Sequence, residues 1–255
     1  MKSLPIIGIM LVLVLSGCRK PAPETESLER AVLNNNGAKV FARTKGQDLN
    51  SRGKGGETML HVAASKGLLE SARALIQAGA DPNAVDDSGA TPLTSGIRNG
   101  VGIPMFRLLL ESGSDPNLVP KGDWTPLHMA VGWGKADLVE LVLAKGGKFD
   151  SKADGRPILT TAASSSTPEV IEVLIANGAD PNEATSAGNT PLHFAAIQGV
   201  GVVKALVKGG ARLNAKNRRG QTPLAYLEDQ KGKVDHFSAQ RKKLVAYMRS
   251  IGAKR

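Results

Sequence analysis

At 255 residues, with 41% apolar and 22% charged side chains, the chain has the composition of a folded protein, and its size alone leaves the class open. A single cysteine excludes an intramolecular disulfide framework, so the fold must be held by its own core. Lys and Arg outnumber Asp and Glu by 33 to 23, a surplus whose meaning depends on where it sits.

The N-terminus opens with Lys2 and an apolar run from Ile6 to Leu15. A membrane-spanning helix needs about 20 apolar residues. This run is shorter and reads as the hydrophobic region of an export signal, residues 1–17. Leu15-Ser16-Gly17-Cys18 follows directly and resembles a bacterial lipobox. That resemblance implies cleavage before Cys18, lipid (palmitate among it) on the mature N-terminus, and a location outside the cytoplasm. An uncleaved anchor is the competing reading. Each buried CH₂ contributes about 0.8 kcal/mol, so several acyl chains would anchor the protein firmly. Arg19 stands where Asp accompanies inner-membrane retention in such lipoproteins, which points to the periplasmic face of the outer membrane in an organism with two membranes. Residues 18–27 then form a lipidated cysteine and a Pro-rich polar tether, RKPAPETES.

Beyond the tether the sequence repeats itself. ETMLHVAASKG, ATPLTSGIRNG, WTPLHMAVGWG, RPILTTAASSS, NTPLHFAAIQG and QTPLAYLEDQK place a leucine at 60, 93, 127, 159, 192 and 224, spaced by 32 to 34 residues. A second phrase follows about twenty residues later: GADPN at 79–83, GSDPN at 113–117, GGKFD at 146–150, GADPN at 178–182 and GARLN at 210–214. A period near 33 built on T-P-L-H and G-A-D-x-N resembles the ankyrin repeat. The resemblance implies an all-α solenoid of stacked helix-turn-helix units with projecting hairpin loops. Residue chemistry agrees with it. Thr-Pro supplies a cap and a first-turn proline, and Gly67, Gly100, Gly134 and Gly199 close the first helix. Leu138, Val139, Leu141 and Val142 give the second helix an apolar stripe that one unit cannot bury alone.

The ends depart from the pattern as caps do. Residues 28–50 read as a degenerate first unit, with a helix at Leu28 to Leu33 and a second near Val40; about 53–215 hold five repeats. Residues 216–255 form a C-terminal cap whose last helix, roughly Phe237 to Ile251, is apolar on one face and basic on the other. This cap holds 11 Lys or Arg against 3 Asp or Glu, net +8 of the total +10. Export argues against nucleic acid as a partner and leaves a solvated face, anionic lipid or an acidic protein for that charge.

His61, His128 and His193 occupy one place in T-P-L-H, too far apart to share a metal, and no cysteine completes a zinc site. The family resemblance assigns them to hydrogen bonds that hold one unit's turn to the next. Ser164-Ser165-Ser166 replaces the helix-ending glycine of the fourth unit and reads as a loop. With no nucleophile elbow, phosphate loop or H-E-x-x-H helix, the chain reads as non-enzymatic, without cofactor, metal or small-molecule substrate, and monomeric.

In the ankyrin family, partners are contacted by hairpin residues before T-P-L-H and by the pair before the glycine that ends the first helix. Matching positions include Asp87, Arg98 and Asn99 in the second unit, Lys121, Trp124 and Trp133 in the third, Arg156 in the fourth and Gln198 in the fifth. Both tryptophans of the chain therefore fall at variable positions of the central unit, and Trp and Arg dominate binding hot spots. Flanked by Arg98 and Arg156, they form an expected aromatic and cationic patch. The competing reading packs Trp133 against Trp124 or the next hairpin as scaffold. Pro157, Ile158 and Thr160 put the caps and loop bonds of the fourth unit in doubt, and Gly102 and Pro104 are expected to perturb the second helix of the second unit. The functional expectation is an anchored binder of another protein in the bacterial envelope. It would be an immunity protein that occludes a toxin or, alternatively, a scaffold or assembly factor for an envelope enzyme or secretion component.

Overall fold

The computed structural model describes residues 27–118, 125–149, 156–165, 167–229 and 238–255. The export signal and Cys18 lie outside these residues. Among the described residues, helices alternate between two layers in chain order. The inner layer holds α1 (Leu28–Leu33), α3 (Met59–Ser65), α5 (Pro92–Arg98), α7 (Pro126–Gly132), α9 (Ile158–Ser165), α11 (Pro191–Gln198) and α13 (Pro223–Asp229). The outer layer holds α2 (Gly37–Thr44), α4 (Leu69–Gln77), α6 (Ile103–Glu111), α8 (Ala136–Ala144), α10 (Pro168–Ala176), α12 (Val200–Lys208) and α14 (Ser238–Ser250). Each helix packs on the helices before and after it in its own layer, which makes the stack.

Local chemistry starts each inner helix. The hydroxyls of Thr58, Thr91 and Thr125 accept the backbone N–H three residues on, while Pro92, Pro126 and Pro191 fill the first turn. The leucine that follows is the fixed point of the core: Leu60, Leu93, Leu127, Leu159, Leu192 and Leu224 are all buried. Leu75, Leu109, Val142, Leu174, Leu206 and Met248 answer them from the outer layer. Burial of one such side chain contributes on the order of 1.5–3 kcal/mol.

A clamp between units appears at the other phrase. Asn83, Asn117, Asn182 and Asn214 each donate Nδ2–H to a carbonyl of the next unit, on Gly113, Gly146, Gly210 and Gly252, at 2.9–3.2 Å. Each Oδ1 accepts the backbone N–H two residues further, from Asp115, Lys148, Arg212 and Lys254, at 2.6–2.9 Å. One amide thus satisfies a donor and an acceptor that a turn would otherwise leave to water. The last of these clamps ties Gly252 and Lys254, after α14, to Asn214 as Gly210 and Arg212 are tied to Asn182.

Two expectations need correction. Helix α6 is as long as α4, α8, α10 and α12, because Pro104 sits in its first turn, where no N–H is required, and the extra residue is absorbed in the Gly100–Gly102 turn. Ser164 and Ser165 belong to the last turn of α9 rather than to a loop; their hydroxyls donate to the carbonyls of Thr160 and Thr161 at 2.7 and 2.9 Å. In the same unit, Thr160 Oγ1 donates to the Pro157 carbonyl at 2.7 Å, and α9 packs on both α7 and α11.

Candidate functional site

Hairpin loops feed the N-terminal ends of the inner helices, and short turns close their C-terminal ends. The loops are bonded to one another: Asp87 N–H donates to the Gly55 carbonyl at 3.0 Å and Arg218 N–H to that of Ala187 at 3.1 Å. Histidines brace them from inside. Thr58 N–H donates to His61 Nδ1 at 3.1 Å, so Nε2 carries the proton and donates to the Ala90 carbonyl of the next hairpin at 3.0 Å. His193 repeats this with Thr190 and the Gln221 carbonyl at 3.1 and 3.0 Å. His128 meets Thr125 Oγ1 through Nδ1 at 2.8 Å. Burial pushes the His128 pKa down to about 4 and holds that of His193 below its ordinary value, against the opposing bond to Gln221. Both are neutral at pH 7, as a structural brace requires. Among the described residues no cluster of three His, Cys, Asp or Glu side chains could hold a metal.

At the hairpin ends, Asp87 forms an ion pair with Arg52 at 2.8 Å, with both side chains exposed. Asp86 is turned inward: burial raises its pKa, but bonds from the Ser88 hydroxyl and the Ala90 and Ser88 N–H groups outweigh this and leave it lowered. Arg156 is exposed two residues before α9. Lys121 and Trp124 lie outside the described residues.

The closing turns carry the rest of the expected positions. Arg98 ends α5 and is exposed; Asn99 caps it and donates Nδ2–H to the Ser95 carbonyl at 2.9 Å. Trp133 caps α7 with 43% of its surface exposed. Its ring edge reaches the preceding unit, where a Cβ placed on Gly100 would lie 2.9 Å from it. Gly100 also holds φ at +66°, so both backbone and close approach require glycine there. Lys135 Nζ stands 5.3 Å from the indole centroid. At the fifth unit, Gln198 ends α11 and donates to the Ser164 carbonyl of the fourth.

The structure therefore sets Trp133 against Gly100, in the turn that follows Arg98 and Asn99, and Gln198 onto Ser164. Arg156 stands at the opposite end of the inner helices from Trp133, about 12 Å away along the eight-residue α9. The two arginines do not flank the indole at one level, because one precedes its helix and the other ends it. Sequence reasoning missed Lys135, which faces the ring from the turn after it, although its place two residues beyond Trp133 was visible.

Comparison with known proteins follows the same outline. The family model for ankyrin repeats, described as three copies, matches residues 28–120, 102–185 and 162–235. Human Rabankyrin-5 is 40% identical over 76 residues, covering 28% of this chain and 6% of that protein, so the chain spans a small part of that relative's length. Among solved structures, the ankyrin repeat domain of Bcl-3, described as a unique member of the IkappaB protein family, matches with a TM-score of 0.72 at 27% identity and covers 87% of this chain and 97% of the other. An ankyrin repeat domain from Acinetobacter baumannii matches with a TM-score of 0.65 at 27% identity, covering 72% and 98%.

Proposed function

The chain belongs to the ankyrin-repeat family, a scaffold for binding other proteins, and from that premise we propose that it is a lipid-anchored, non-enzymatic binding module of the bacterial envelope. One observation carries the binding part of the reading. The position of Trp133 accepts Lys66 in the first unit and Ser165 in the fourth, so the fold does not need an indole there, yet a half-exposed one stands mid-stack against the Gly100 turn. Exposed tryptophan costs solubility, and large aromatics in partly buried settings are what binding hot spots use. The lipobox resemblance of Leu15 to Cys18 and the polar tether after it support the envelope part.

The Thr58–His61 and Thr190–His193 contacts have the geometry of a nucleophile and its base, but the imidazoles are fully buried and both ring nitrogens are engaged. The activity proposed is steric occupation of a partner, and an immunity protein that occludes a toxin is its specific form. The test has two arms. Cys18→Ser should abolish incorporation of labelled palmitate. Trp124→Ala with Trp133→Ala should abolish capture of the wild-type partner from solubilised envelopes at unchanged helical circular dichroism. A captured protein that is toxic when expressed without this chain supports immunity. Capture of a resident envelope enzyme instead points to the scaffold role, and capture that survives the double change removes the binding site from this face.

A further inference from the structure

We propose that the C-terminal end of the solenoid docks on an anionic bilayer through a field of lysines and arginines, so that the stack lies along the membrane. This rests on the lipid-anchored reading and adds an orientation to it. Charge divides unevenly along the chain. Residues 199–255 hold 14 Lys or Arg against 3 Asp or Glu, whereas residues 1–198 hold 19 against 20. The last stretch therefore carries the entire basic surplus. Structure gathers its cations at one end. The tail after α14 is tied to the last hairpin, with Lys254 N–H donating to Asn214 Oδ1 and Thr222 Oγ1 donating to the Lys254 carbonyl, both at 2.6 Å. Lys216, Arg218 and Arg219 stand exposed on that hairpin, Lys254 beside it, and Lys242 and Lys243 on α14. The described carboxylates of this region are engaged elsewhere: Glu228 is shared by Arg249 and Arg255 at 2.8 and 2.9 Å, and Asp229 accepts from Gln221 Nε2 at 3.2 Å.

A plane of phosphates suits this surface better than a protein does. The large apolar side chains exposed among the described residues, Leu33, Phe41, Val85 and Trp133, all lie in the first four-sevenths of the inner helices and none in residues 199–255. The basic end thus lacks the apolar anchors around which a protein interface is built. Adsorption to anionic headgroups needs only cations, each of which strengthens it about fivefold. Salt screens charges beyond about 8 Å, so these cations act only in contact with the surface. Contact in turn fixes the orientation. Eight residues separate Cys18 from Ser27, a reach of about 30 Å when extended. Seven inner helices stacked about 8–10 Å apart put the last unit about 50–60 Å from the first. A stack standing upright on its tether would hold the basic end far from the headgroups, and only one lying down brings it to them.

The test uses the full chain purified from membranes and returned to vesicles of phosphatidylcholine with or without phosphatidylglycerol. An environment-sensitive fluorescent amino acid at the exposed position 246 of α14 is read by quenching with headgroup spin-labelled lipid. The expected result is quenching with phosphatidylglycerol and none with phosphatidylcholine alone. Lys242→Glu with Lys243→Glu should cut the docked-to-free ratio about tenfold or more, at unchanged circular dichroism. Co-sedimentation with the vesicles in high salt reports the acyl anchor separately. No quenching in a chain that still co-sediments overturns the inference and leaves the anchor standing. Quenching at low salt in a chain that high salt releases supports the inference and overturns the anchor. Quenching that survives the double charge reversal overturns the inference. Quenching abolished by inorganic phosphate at constant ionic strength, or a polyglutamate peptide bound more tightly than phosphatidylglycerol, assigns this end to a soluble anion or an acidic protein and overturns it as well.

Discussion

The inner helices of the fourth and fifth units are of equal length, and one register position in them is bonded in two different ways. His193 bonds Thr190 in its own unit and, through its other nitrogen, the Gln221 carbonyl of the next hairpin. Thr160, at the same register of the fourth unit, turns back to its own Pro157 carbonyl. Both inner helices form and pack on their neighbours all the same. In this solenoid, helix formation is settled locally by caps and buried leucines, whereas hydrogen bonding across units depends on the reach of one side chain.

Four tests sharpen this contrast. His193→Ala removes a buried imbedded ring and two of its bonds and should cost about 3 kcal/mol, against about 1 kcal/mol for Thr160→Ala. Urea unfolding followed by circular dichroism measures both, and equal costs would defeat the argument from reach.

Acid should act through His128 and His193. The pKa of His128 falls from 6.5 to about 4 on folding, so above pH 6.5 the group is neutral in both states and its contribution is intact. As pH drops from 6.5 towards 4, the unfolded chain takes up the proton first, and stability on the order of 2 kcal/mol is lost. His193 shifts in the same direction and adds to the loss. The urea midpoint should fall between pH 7 and 4.5, with a shallower slope in His128→Gln. An unchanged slope would show that His128 does not carry the effect.

The asparagine clamp operates in both kinds of unit. Asn182→Ala breaks its bonds to Gly210 and Arg212 and should cost about 1 kcal/mol, with faster amide exchange at Arg212. Slow exchange retained there would count against the clamp. Smallest is Asp87→Asn. Its ion pair with Arg52 is exposed on both sides, so the change should stay within about 0.5 kcal/mol in the same unfolding assay.

The repeat and its helices were legible because burial recurs with the sequence period: the six leucines announce the core without any knowledge of three-dimensional contacts. What the sequence hid depends on register between units. Asn83, Asn117, Asn182 and Asn214 recur visibly, but their bonds end on backbone 28 to 38 residues away, which no local rule reports. Trp133 was marked by position, whereas its rest against Gly100 required knowing which turn lies beside which. Ser164 and Ser165 were misread because the glycine rule is local and ignores a hydroxyl's ability to bond a carbonyl four residues back.

The central claim is that the inner layer, at the level of Trp133, meets the partner. Photoreactive benzoylphenylalanine placed at position 133, and separately at the exposed outer-layer position 140, tests it in living cells. The account predicts a cross-linked adduct from position 133 and none from 140. An adduct from 140 with none from 133 would contradict it.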